Sequence, residues 1–231
     1  MHPWCISEDR RARADFWHFI RRSCSVSAIL LAGLLPWVEP VSAKTYWLTV
    51  SIHKELRDSL TRQDIIEILQ NASKLMKHHD QFWTNDCNVE FKLAGRLKYF
   101  SSAPAEIKNK YDLEKVHRVA AHIKVVRKIN HCRGIGDETD VVGCAWRERP
   151  DLRRKTVIVT TATAAPHQLW AHEFGHTTCL PHRGDDELAL MTPCTVKNFN
   201  WRITPDECRA FRAGPRLCRT RDPNVTCQVR Q

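Results

Sequence analysis

Residues 172–182 read HEFGHTTCLPH, and the spacing of three histidines here restricts the surrounding chain more than any other stretch does. On a helix of about 3.6 residues per turn, residues four apart share a face. His172 and His176 therefore need a helix beneath them to point the same way. His182 can rejoin them only if that helix stops near Cys179 and the chain turns back, and Pro181 suits such a stop. Three imidazoles brought together in this way can hold one ion, and Zn2+ is the expected ion. Glu173 lies beside the ligand face without joining it, which suits a general base acting on a zinc-activated water. The fourth position of the ion then stays open for that water.

The flanking sequence supplies a frame for this helix. TYWLTVSIH (45–53) alternates apolar and polar residues and reads as a strand, as does NVEFKLAGRLKYF (88–100). Between them, Thr61 and Asp64 form an N-cap for a helix whose Ile65, Ile68, Leu69, Ala72, Leu75 and Met76 line one apolar face. Residues 104–120 are ambiguous, with a helical reading from Pro104 onward; HIKVVRKIN (122–130) reads as a third strand. VVGCAW (141–146) suits a short edge strand, and KTVIVTT (155–161) a buried one. Pro166 suits the first turn of the histidine helix. A last helix is marked by Thr204 as N-cap, Pro205 at N1, Glu207 closing a capping box and Gly214 past its end. This order implies one α/β sheet half followed by a small, loop-rich half, with the histidines at the join.

At 231 residues the chain has room for one full domain. Residues 1–43 read as an export signal: arginines at 10, 11, 13, 21 and 22, then the apolar run SVSAILLAGLLPWV, then small residues at 41–43. The run is too short to span a bilayer comfortably, so no transmembrane anchor is expected. Arg21 and Arg22 leave a twin-arginine route open beside general secretion. Removal of this segment leaves a secreted or periplasmic chain with Cys87, Cys132, Cys144, Cys179, Cys194, Cys208, Cys218 and Cys227, an even set that reads as disulfides. Cys132 with Cys144 and Cys218 with Cys227 are the local pairings expected.

The formal charge of +10 favours acidic surfaces or polyanions as partners without choosing among them. The arginine-rich tail lacks interleaved stacking aromatics, so it reads as a solvated face and not as a specific nucleic-acid site. RGD at 183–185 reads as a polar turn. Histidines 53, 78, 79, 117, 122, 131 and 167 are scattered and read as surface or satisfied core residues.

ELALMTPC places Met191 nine residues past His182, where a tight turn can carry a methionine beneath the imidazoles. With HEFGHTTCLPH and LMTP together, the chain resembles the metzincin zinc peptidases over 45–214, most strongly over 166–194, and the short gap between His182 and Met191 is most like the matrixins. The resemblance implies an α/β (α+β) fold: a twisted, mostly parallel five-stranded sheet with a backing helix and an active-site helix, and a small loop-rich C-terminal half with one helix. The catalytic domain would cover 44–214, divided at 180/181, with 215–231 a basic cysteine-containing tail. It further implies that His172, His176 and His182 bind zinc, that Glu173 is the general base, and that Met191 forms the floor. VVGCAW would be the edge strand to which an extended protein or peptide substrate adds by main-chain pairing, and Phe199 and Trp201 would shape a specificity pocket.

The sequence departs from the family in several places. The loops that bind structural zinc and calcium in matrixins are missing from RKINHCRGIGDETDVVG, so no calcium is expected. Pro193 stands where astacin-like relatives have a tyrosine ligand, and no masking thiol precedes the first strand. Cys179 stands where the family carries a glycine in left-handed conformation, which costs a residue with a Cβ about 1–2 kcal/mol. A disulfide from Cys179 to Cys194 or Cys208 would offset that cost and keep the thiol off the metal. The reading is an exported zinc endopeptidase. Its alternatives are a catalytically silent metzincin-like zinc-binding or protein-binding module, and a basic polyanion-binding protein.

Overall fold

A computed structural model describes residues 42–132, 141–145, 157–161, 163–184, 186–192 and 201–215, with the backbone of 226–228. All belong to the unit Pro40–Gln231. The signal-like segment, Cys194, Phe199 and Cys218 lie outside the described residues.

The strand expected over 45–53 forms as β1 (Lys44–Leu48) and β2 (Val50–His53), parted where the Thr49 amide donates to His122 Nδ1 at 3.0 Å. α1 (Arg62–Leu75) starts at the expected capping box: Asp64 N donates to Thr61 Oγ1, and Thr61 N donates to the Asp64 carboxylate. The strand expected over 88–100 is broken into β3 (Val89–Leu93) and β4 (Lys98–Phe100), with Gly95 between them at φ 69°. The ambiguous 104–120 resolves into β5 (Glu106–Ile107) and α2 (Lys110–His117), the helix capped by Asn109, whose side chain accepts from Tyr111 N and Asp112 N. β6 (Ile123–Val126) and β7 (Lys128–Ile129) divide the third expected strand. β8 (Val141–Ala145), β9 (Val157–Thr160), α3 (Pro166–Thr177), α4 (Pro205–Ala213) and β10 (Thr226–Gln228) complete the fold.

β1 pairs in parallel with β3, and an eight-stranded sheet holds the remaining strands. Its central run is β4-β2-β6-β9-β8, parallel except that β8 runs antiparallel to β9. β7 and β5 extend the sheet from β8, and β10 also pairs with β8, antiparallel. The fold is thus mixed α/β, with a sheet larger than the five strands expected. β5 and β7 are two residues long, too short to leave a period in the sequence. VVGCAW is not an edge either. Gly143 of β8 pairs with Val159 on one side and Cys227 on the other, so β10 covers the side that β9 leaves open.

Both faces of the sheet are buried, which explains why β6 and β9 read as near-continuous apolar runs. Val157 and Val159 point into a core shared with α1, α3 and α4, while Ile158 points into a second core with Leu113 and Val116 of α2. Among the described residues no helix is long and apolar enough to cross a membrane.

Three ties bind the ends of this chain together. Tyr46 of β1 donates its hydroxyl to the Phe211 carbonyl at 2.7 Å, serving one of the carbonyls that the end of α4 leaves without a helical partner. A Cys87–Cys208 disulfide joins the approach to β3 to α4, and Cys132–Cys144 forms as expected. The first closes 121 residues and the second 12, so loop-closure entropy assigns them about 5 and about 3 kcal/mol. The third tie is Asn85, only 1% exposed. Its amide nitrogen donates to the carbonyls of Leu75 and Trp201, and its oxygen accepts from Ile203 N and Trp83 Nε1.

Asn85→Ala leaves four partners, two of them buried and two half-buried, to find other bonds. The variant is expected to lose about 1–3 kcal/mol in urea unfolding. A loss below about 0.5 kcal/mol would mean that the Asn85 bonds do not hold the lower half to α1.

Candidate metal centre

α3 carries two of the three histidines and is enclosed on every side: Gln168 to Thr177 are all buried. Pro166 sits at its start as expected, and no side chain caps it. Phe174 faces the opposite way from the histidines, meeting Tyr46 and Phe91 with ring centroids 5.0 Å apart in each case. That contact sets the rotation of the helix and directs His172 and His176 toward the lower half.

The helix ends in a Schellman motif. Cys179 N donates to the His176 carbonyl at 3.0 Å and Leu180 N to the Gly175 carbonyl at 3.2 Å, while Cys179 takes φ 73°. The cysteine therefore occupies the left-handed position usually given to glycine. It is disulfide-bonded and so is not a thiolate facing the metal. Cys208 is not its partner, because Cys208 is joined to Cys87; the partner lies outside the described residues.

Past this turn His182 comes back to the helix, and the Nε2 atoms of the three histidines converge. The separations are 3.1 Å for His172–His176, 3.1 Å for His176–His182 and 3.3 Å for His172–His182. His172 Nδ1 lies 2.7 Å from the Leu190 carbonyl, and His176 Nδ1 lies 2.8 Å from the Leu180 carbonyl. A carbonyl can only accept, so both Nδ1 atoms donate, and in a neutral ring the Nε2 atom then presents a lone pair. Burial, helped by the neighbouring His182, pushes His172 down to about 3, which keeps that ring neutral. Lone pairs aimed at one point repel unless a cation lies between them. Nitrogens around a tetrahedral zinc, each at 2.0–2.1 Å, stand about 3.3–3.4 Å apart, so the three fit such an ion closely. Among the described residues this is the one group of three with metal-ligand spacing.

Met191 and Glu173 are both fully buried. Met191 is fully buried in the turn closed by Thr192 N donating to the Ala189 carbonyl. Its Sδ lies against Gly175, where an added Cβ would stand 2.6 Å from the sulfur, so the small residue lets the turn dock under the histidine helix. The Met191 carbonyl accepts from Arg183 N at 2.8 Å, and the Arg183 side chain meets Glu207 at 3.3 Å. The arginine of the RGD triplet thus anchors the His182 segment to the cap of α4. Glu173 is fully buried beside the histidines, its carboxylate against β8. An added Cβ on Gly143 would lie 2.2 Å from Glu173 Oε1.

Gly143 and the two leucine carbonyls were not legible as site components, since neither a glycine in a short strand nor a backbone oxygen carries a sequence signal. Trp201, expected to shape a specificity pocket, packs its ring on His78 at 4.3 Å, just past the end of α1.

No protein-family model and no curated protein matches the chain. Among solved structures, a chain in the structure of a chaperone-substrate complex aligns at a TM-score of 0.44 and 13% identity. The alignment covers 83% of this chain and 33% of that one, so this chain spans about a third of its length, and a likeness this weak carries no argument.

The contact between Gly143 and Glu173 makes the two positions interdependent. Gly143→Ala is expected to cost about 1–3 kcal/mol of stability, through overpacking against the carboxylate. The same change in a Glu173→Ala background should cost far less. Equal costs in the two backgrounds, measured by denaturant unfolding, would show that the carboxylate does not lie against the strand.

Proposed function

We propose that the chain is an exported zinc endopeptidase of the metzincin type. The observation that carries this reading is the convergence of three histidine Nε2 atoms within 3.3 Å, with a buried carboxylate next to one of these histidines but outside the set. The order β4-β2-β6-β9-β8, with β8 alone reversed in that run and α1 and α3 packed on one shared core, supports the metzincin comparison, as does Met191 under α3. The disulfides are compatible with an oxidising compartment.

His172, His176 and His182 would hold the ion. Bound zinc supplies Lewis acidity and lowers the pKa of water at the site to about 7. Glu173 accepts the proton at its carboxylate as the oxygen attacks the peptide carbonyl carbon, then returns that proton to the departing amine nitrogen as the C–N bond breaks. Its burial keeps bulk water from competing for the proton. Gly143 leaves the carboxylate room while holding it against the strand. The Leu180 and Leu190 carbonyls fix the ring tautomers, so the ligand nitrogens need no reorganisation when the ion binds.

Zinc content and hydrolysis separate the roles. The purified chain is expected to carry one zinc and to cleave casein, and chelation should stop cleavage. Glu173→Ala should keep the zinc and lose cleavage by at least about a hundredfold, whereas His182→Ala should lose the metal. Zinc without cleavage in the unaltered chain would favour a silent binding module, and near-normal turnover in Glu173→Ala would contradict the mechanism.

A further inference from the structure

The open side of β8 is not vacant. Thr226 pairs with Cys144, Cys227 with Gly143 and Gln228 with Val141, so β10 runs antiparallel along the strand whose Gly143 abuts Glu173. Cys144 and Gly143 pair with β9 through their other side, to Ile158 and Val159. An extended peptide adding to the sheet at this point would need the same row of amide and carbonyl groups that β10 uses. The groups cannot serve both at once.

We propose that the C-terminal tail is a built-in competitor for the peptide-docking edge, with β10 holding the place that an extended substrate must take. The proposal rests on the peptidase reading for its function. The pairing itself has the character of a displaceable contact. β10 is three residues long, and its register shifts between Cys227 and Gln228, so few ladder bonds hold it. The strands that build the frame, β6 and β9, are longer and buried throughout. A tail docked most of the time lowers the apparent affinity for any other extended peptide by the fraction of chains that are open. Releasing the tail raises that affinity without altering the metal ligands or Glu173.

The test uses the full zinc-loaded chain and two variants, Thr226→Pro and Gln228→Pro, each of which puts a ring in place of a strand amide. The probe is a fluorescent decapeptide of residues 222–231 with serine in place of Cys227, and binding is read by anisotropy. Both variants are expected to bind the probe at least tenfold more tightly than the unaltered chain, with zinc content unchanged. Equal binding by all three chains, or binding by none, would overturn the proposal. Should a variant misfold, hydrogen exchange on the unaltered chain decides: slowed exchange is expected at those amides of Thr226–Gln228 that face β8, and exchange of all three at the rate of unstructured chain would overturn it. Binding is read without turnover. A variant that takes up the probe yet cleaves nothing would therefore sink the peptidase reading and leave the competition standing.

Discussion

Two backbone carbonyls, those of Leu190 and Leu180, hold the arrangement on which the site depends. Each accepts a hydrogen bond from the Nδ1 of an α3 histidine, His172 and His176, and so decides both the tautomer and the orientation of the ring. The two carbonyls come from different places. Leu180 follows the turn that ends α3, and Leu190 belongs to the Met191 turn 18 residues from His172. The three-histidine cluster therefore forms only if the chain after α3 folds back beneath it. That return is secured by Arg183 bound to the Met191 carbonyl and to Glu207, and by the seating of Met191 on Gly175.

Cys179 shows how one unusual residue is accommodated. The left-handed position at the end of α3 is required by geometry, because without it Leu180 cannot deliver its carbonyl to His176 and His182 cannot reach the same point. A cysteine there accepts a backbone cost of about 1–2 kcal/mol. The cross-link it makes restricts the unfolded chain and removes the thiol from competition for the ion. The remaining ties act at a distance: Tyr46, Asn85 and Cys87–Cys208 all join the sheet half to the segment around α4.

Much of this was legible in the chain itself, and the parts that were not share a physical cause. Thr61, Asp64, Thr204, Glu207 and Gly214 announce helix ends through side chains that bond local backbone or tolerate positive φ, and the helices begin and end where those residues stand. The pairing of His172 with His176 on one face was legible for the same reason, since helical periodicity is local. What depends on distant contacts was hidden. Lys124 is fully buried although lysine is a residue of the surface, because both faces of β6 are covered. Cys87–Cys208 joins positions 121 residues apart, and Asn85 serves partners near both ends of that span. β10 lies in a basic tail with no strand pattern, and its place follows from the edge that β8 offers.

Three imidazoles, and no sulfur, are proposed to hold a zinc ion in this fold. Zinc K-edge X-ray absorption on the zinc-loaded full chain measures that directly. Imidazole nitrogen scatterers are expected at about 2.0–2.1 Å, three per zinc, with light-atom scattering completing the shell. A sulfur scatterer at about 2.3 Å, or a spectrum without imidazole back-scattering, would contradict it.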